Sequence, residues 1–330
     1  MAPSDFMNLE AQTPLYANYL AAGVVCQVST NAESLLNAAN ESFFRMTSAP
    51  ERVGFRVKIW SDQSLESELP WPKPYARGLD HLVFVGLDPV SSLLIDLEAR
   101  RVAGRFSSRL AADEAQVRSI VFPIMLSVLS SSIGVLELHC ACVANEGQGL
   151  LLFGPSGSGK STLSVAFART GFGFLSDDRT YCSRADGRFS LWGIHPQLKL
   201  RRDAGAWLPE LKGCAPNEIH KGEAVFRFQP EGPLGLKRIR RCEPSCLIFL
   251  ERCDTRSTEI TKIASSEAAK RLATDLIAEF PEVLESSLQK IRYLTELPCW
   301  LLRYGKDPAT VAGEVAEHFK MLMPASKVGI

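Results

Sequence analysis

Gly154-Pro155-Ser156-Gly157-Ser158-Gly159-Lys160-Ser161-Thr162 decides the reading of this chain, because it satisfies G-x-x-x-x-G-K-[ST] without a mismatch. Glycines at such spacing let successive backbone N–H groups turn inward around a polyphosphate. The lysine then reaches the β and γ oxygens, and the following hydroxyl holds magnesium. On this reading residues 154 to 162 bind nucleotide, Lys160 also acts in catalysis, and Ser161 is a metal ligand. With glycine at about 7% of residues, the match arises by chance in roughly one chain in a hundred of this length.

The flanks carry the context that the loop requires. Leu150-Leu151-Leu152-Phe153 is a short apolar run suited to a parallel strand buried on both faces. After the loop, Leu163, Ala166, Phe167 and Thr170 recur at i, i+3, i+4 and i+7, which predicts a helix from Lys160 to just before Gly171. Such a helix aims its N-terminal partial positive charge at the phosphates.

An acidic pair, Asp177-Asp178, follows Lys160 by seventeen and eighteen residues and ends the run Gly173-Phe174-Leu175-Ser176. Two carboxylates at the C-terminal edge of a strand stand where α/β proteins bind ligands. Phosphoryl transfer to a hydroxyl needs one carboxylate to take the proton and a second group to help hold magnesium, whose charge keeps both ionised. The plainer reading is an Asp-Asp turn that caps a strand. His139 closes the run Val135 to Leu138; by itself, a lone histidine on a strand is a core or surface residue, and His195 has the same standing.

Composition bounds the function class. The chain has 330 residues, 46% hydrophobic and 22% charged, enough for two domains. Its 37 basic and 37 acidic side chains cancel, so no overall field recruits nucleic acid or an anionic membrane. The local patch Lys237 to Arg241 reads as a solvated turn. The nine cysteines are odd in number and lack zinc spacing, which predicts reduced thiols, with Cys140, Cys142 and Cys246 as small buried hydrophobes. No basic n-region follows Met1, and the apolar run Ile120 to Ile133 is interrupted by Pro123 and shorter than a membrane span, so a cytoplasmic protein is expected.

Residues 1 to 112 are expected to form a smaller α+β domain, with strands at Gly23–Ser29, Phe55–Trp60, His81–Gly86, Ser92–Leu97 and Val102–Phe106. A helix is expected near Ala32–Phe44, and the proline-rich stretch Leu69 to Tyr75 is a loop. Residues 113 to 134 read as a bridging helix. Residues 135 to 330 read as the catalytic domain, with strands at Leu136–Val143, Leu150–Phe153, Phe172–Leu175, Thr180–Ser183, Leu198–Leu200, Ala224–Phe228, Ile239–Arg241, Cys246–Leu250 and Cys299–Arg303. Helices near Ser266–Phe280, Val283–Leu294 and Pro308–Lys320 come late, which argues an α/β core with a mixed sheet.

The stretch Leu138 to Arg179 resembles the bacterial HPr kinase/phosphorylases and their wider group of serine kinases. A histidine heads the segment, the loop reads G-x-S-G-x-G-K-S, and an Asp-Asp pair follows at the family's distance. The resemblance implies a nucleotide-binding core shared with phosphoenolpyruvate carboxykinase, with ATP and magnesium as cofactors. It implies that His139 sits near the transferring phosphate, that Asp178 is the general base, and that Asp177 is its acidic neighbour and a metal ligand. Similarity continues through Gly193 to Arg201 and Leu297 to Tyr304. The family's glycine after the histidine is Cys140 here, its Lys-Ser-Glu is Lys160-Ser161-Thr162, and Trp192 to Arg202 holds no acidic residue of the kind that supports phosphorolysis. The implied partner is a serine of a peptide or protein; the resembled enzymes are hexamers, so self-association is a further expectation. The competing readings are a nucleotide-hydrolysing switch, with Cys246 to Glu251 as its magnesium-site strand, and a regulatory module that binds nucleotide without a kinase acceptor.

Overall fold

A computed structural model of the chain describes residues 12–185, 188–194, 198–220, 223–253, 257–273, 281–305 and 307–322. The fold is mixed α/β, and the chain divides into two compact units, Met1–Val135 and Leu136–Ile330.

In the first unit, β1 (Leu15–Ala21), β2 (Val24–Thr30), β3 (Phe44–Arg45), β4 (Phe55–Asp62), β5 (Tyr75–Leu79), β6 (Leu82–Gly86), β7 (Ser92–Asp96) and β8 (Arg101–Ser107) form one sheet ordered β3-β1-β2-β4-β8-β7-β6-β5. Register aligns Tyr19 with Cys26, Cys26 with Phe55, and Val57 with Val102. Alternate residues therefore make one apolar face, and α1 (Glu33–Ser42), α2 (Ser108–Ala112) and α3 (Phe122–Leu129) pack on this sheet. Strand β1 was not expected, because Asn18 and two alanines dilute its β signal; pairing with β2 supplies what propensity does not.

The segment read as a bridging helix is helical in three pieces: Glu114–Gln116, a π turn at Val117–Val121, and α3. The wide turn stops just ahead of Pro123, whose missing N–H spoils the ordinary ladder there. Among the described residues it packs on α1 and β7 of the first unit.

The second unit contains β9 (Val135–Leu138), β10 (Ala141–Asn145), β11 (Gln148–Phe153), β12 (Gly173–Ser176), β13 (Thr180–Ala185), β14 (Arg188–Trp192), β15 (Leu198–Arg201), β16 (Glu218–His220), β17 (Glu223–Phe228), β18 (Arg241–Arg252), β19 (Glu259–Lys262) and β20 (Cys299–Tyr304). The main sheet runs β12-β10-β11-β18-β14-β13-β9 and branches at β18, whose second half pairs with β20, itself paired with β19. β11, β18 and β20 are mutually parallel, and β12 shares their direction through the antiparallel β10. Their C-terminal ends, Phe153, Ser176, Arg252 and Tyr304, consequently lie along one edge of the sheet.

Both faces of this sheet are covered, which explains the unbroken apolar runs. Leu150, Leu152, Ile248 and Leu302 pack with α4 (Lys160–Arg169) and α7 (Pro308–Leu322), while Leu151, Phe153, Leu247 and Leu301 pack with α5 (Ser265–Ala273) and α6 (Pro281–Glu296). Truncating a fully buried leucine such as Leu152 to alanine costs about 2–5 kcal/mol. The strand expected over Ile239–Arg241 does not form, since Ile239 and Arg240 lie outside any strand; the one expected over Cys246–Leu250 extends back to Arg241, Pro244 being accommodated by a register shift opposite Gly149 and Leu150 that leaves Ser245 unmatched. The tail of the helix expected to reach Phe280 lies at 274–280, outside the described residues.

Candidate active site

The loop between β11 and α4 takes its shape from glycine. Gly154, Gly157 and Gly159 have φ of +156°, +85° and +94°, values that side chains disfavour. A Cβ on Gly154 would lie 2.5 Å from Ser158 Oγ, and one on Gly159 would lie 2.0 Å from the Tyr304 hydroxyl. That hydroxyl, at the end of β20, donates to the Ser158 carbonyl at 2.6 Å and so fastens the far side of the loop. Pro155, Ser156 and Gly157 are exposed, whereas Ser158 is buried and its Oγ has no hydrogen-bond partner.

Helix α4 begins at Gly159, which provides no side-chain cap, so its first amides are not closed off by their own sequence. The periodic face expected from Leu163, Ala166 and Phe167 packs on the main sheet, and Val165 and Ala168 on another face pack against β15 and β17. The helix is thus held on two sides. Thr170 and Gly171, with φ +102° at Gly171, end it by returning amides to Phe167 and Ala168.

Lys160 is buried, and its ammonium donates to the carbonyls of Gly154 at 2.6 Å and Pro155 at 3.4 Å. The charge therefore lies folded under its own loop. Ser161 and Thr162 lie half-buried in the first turn of α4.

The acidic pair is fixed by the break between β9 and β10. The single strand expected over Leu136–Val143 does not form. The Cys140 amide bonds the Leu138 carbonyl at 2.9 Å, turning the chain about His139. Thr180 donates to the Cys140 carbonyl at 3.1 Å, leaving its oxygen to accept from Ser176 at 2.6 Å, and these bonds staple the 177–179 turn onto that break. His139 Nε2 comes within 3.0 Å of Asp178 Oδ1. Because a carboxylate only accepts, Nε2 carries the proton in that bond. Beside it, Arg179 pairs with Glu137 at 2.8 Å.

The two carboxylates differ sharply. Asp178 is half-exposed, and its bond to His139 holds it down at about 2. Asp177 is buried, and desolvation followed by the Asp178 charge pushes it up to about 6. Its Oδ2 accepts from the Lys199 amide at 3.3 Å. One group is ionised at every working pH, while its neighbour titrates near neutrality, an arrangement typical of acid–base sites. The Cys140 thiol, buried at the break between β9 and β10, is pushed up to about 12 by desolvation.

β15 contributes two cations that sequence reading passed over. Lys199 lies half-buried beside the acidic pair, and Arg201 lies so that a Cβ on Gly157 would be 3.9 Å from its Nη1. The signal was the alternation Leu198, Lys199, Leu200, Arg201, with both leucines buried behind. His195 lies outside the described residues. At the end of β18, Glu251 is engaged by Arg271 at 3.2 Å and Arg303 at 3.1 Å. No helix among the described residues is long and apolar enough to cross a membrane. The cysteines are free thiols, with Cys140, Cys142 and Cys246 buried.

No family model matches the chain, and no curated protein matches it. Among solved structures, the HPr(Ser) kinase/phosphatase from Coxiella burnetii is similar at a TM-score of 0.31 and 13% identity, over 57% of this chain and 99% of that one.

Proposed function

We propose that the second unit is an ATP-dependent kinase that transfers the γ-phosphate to a serine hydroxyl of a peptide or protein. The observation that carries this reading is the pairing of a glycine-shaped loop at an uncapped helix N-terminus with a carboxylate held ionised by His139. A phosphate-binding device and an acceptor for a hydroxyl proton stand on the same sheet edge.

In the proposed reaction, loop amides from Gly157 to Ser161 hold the triphosphate, and the Lys160 ammonium leaves its own carbonyls for the β and γ oxygens. The serine oxygen bonds to the γ-phosphorus as the bond to the bridging oxygen breaks, and that electron pair leaves with ADP. Asp178 accepts the serine proton. A carboxylate at about 2 is a weak proton sink, but in a loose transition state its main task is to orient the hydroxyl. His139 keeps Asp178 aimed.

The residues present fit magnesium: Ser161 lies in the first turn of α4, and Asp177 is a buried carboxylate whose elevated value a cation would lower. Magnesium takes one or two protein oxygens with the substrate's phosphates, so a larger cluster of acidic ligands is not required, and none occurs among the described residues. When bound, the ion neutralises charge on the transferring phosphoryl group.

The switch reading needs Glu251 at the metal, and its two arginine partners speak against that. The test compares Lys160→Ala with Asp178→Asn. Both are expected to abolish transfer, with only Lys160→Ala greatly weakening ATP binding. Equal loss of ATP affinity in both would move Asp178 onto the metal and remove it as base.

A further inference from the structure

β15 presents a face that the loop and the acidic pair leave unexplained. Leu198 and Leu200 point into the core shared with α4, so the strand's period of two turns Lys199 and Arg201 the other way. The Lys199 amide is bonded to Asp177 Oδ2, and the Arg201 guanidinium reaches the exposed turn at Gly157. One short cationic face therefore spans the interval between carboxylates and loop, which is where a phosphoryl group in transit has to lie.

We propose that Lys199 and Arg201 bind the terminal phosphates of the nucleotide, completing from β15 the positive charge that Lys160 supplies from the loop. This rests on the nucleotide-dependent transfer proposed above and extends it to a second element. The charge balance favours it: an anionic triphosphate approaching two carboxylates needs more than one lysine to offset it. Arg201 is paired with Glu223 at 3.2 Å, but both partners are more than half-exposed, at 57% and 58%. An exposed pair of this kind is weak, and a polyphosphate that accepts a guanidinium with two oxygens competes well for it.

The test is calorimetric titration of the full chain with magnesium-ATP and with AMP, which lacks the terminal phosphates. Lys199→Met and Arg201→Met are expected to weaken magnesium-ATP about ten- to a hundredfold each while leaving AMP within about threefold. Glu223→Gln, which frees Arg201, is expected to tighten ATP. Thermal melts check that each variant is folded, and Lys199→Arg should restore most of the ATP affinity. An ATP-to-AMP preference unchanged in both methionine variants, while Lys160→Ala loses it, would overturn the role of β15 alone. An unchanged preference in Lys160→Ala as well, or no ATP binding by the unaltered chain, would remove the nucleotide reading and this proposal with it.

Discussion

His139 and Asp178, 39 residues apart in sequence, meet at 3.0 Å across the turn that separates β9 from β10. This bond is the largest cause of the low Asp178 value, so removing it lets the carboxyl rise toward its ordinary range. For His139→Ala the account predicts a drop in kcat of about tenfold or more, a KM for ATP nearly unchanged, and an acid limb of the pH–rate profile displaced to higher pH. His139→Gln retains a donor and should recover part of both. A pH–rate profile of the two variants that overlays the original would show that the bond is only structural.

Asp177 gives a prediction in stability. Its folded value of about 6 lies above that of the unfolded chain, so its contribution is full below about pH 4 and is lost as pH rises through 6. In buffer with a chelator, Asp177→Asn should melt higher than the original at pH 7.5 and match it near pH 4. A raised value of this size corresponds to about 2–3 kcal/mol. Asp178, which faces Asp177 as a like charge, and Lys199, which faces it as an opposite one, remain in both proteins. Magnesium with ATP should erase the difference or reverse it, and differential scanning calorimetry reads each case.

Tyr304 controls the loop from β20. Tyr304→Phe removes one buried hydrogen bond, worth about 1 kcal/mol, and is expected to weaken ATP binding by about fivefold while the fold persists. Gly159→Ala should do far more harm, since it meets the Tyr304 hydroxyl at 2.0 Å and forces a side chain to φ +94°. Combining Gly159→Ala with Tyr304→Phe relieves only the overlap, so ATP affinity should return in part. Full recovery in a binding titration would mean that the left-handed backbone is unimportant there.

Glu251 separates the kinase from the switch. Because Arg271 and Arg303 hold its carboxylate, Glu251→Gln should leave phosphoryl transfer within about threefold, as an exposed ion pair contributes about 1 kcal/mol or less. Loss of ATP turnover with transfer and hydrolysis falling together would restore Glu251 to the metal.

What sequence made legible was the part governed by local rules. The loop from Gly154 to Thr162 depends on left-handed glycines and a helix start, both written in adjacent residues, and the double coverage of the sheet shows as unbroken runs such as Leu150 to Phe153. Long-range organisation was less readable. Pro244 argues against a strand, yet β18 passes through it because β11 pairs alongside while β18 itself carries the extra residue, Ser245, as a bulge. Leu136 to Val143 reads as one strand, but its halves pair with different neighbours, and only that break delivers His139 to Asp178. Lys199 and Arg201 look like the polar positions of an ordinary strand until the packing of α4 on β15 sets them beside the loop. Glu251 looks like an available carboxylate until two arginines from α5 and β20 claim it.

The most direct measurement follows label from the γ-position of ATP, with magnesium, into a pool of serine-containing peptides and into HPr, using the original protein and Asp178→Asn. The account predicts label on serine with the original protein, and its loss by about a hundredfold or more in the variant while ATP still binds. Free phosphate released at the same rate by both proteins, with no labelled acceptor, would contradict it.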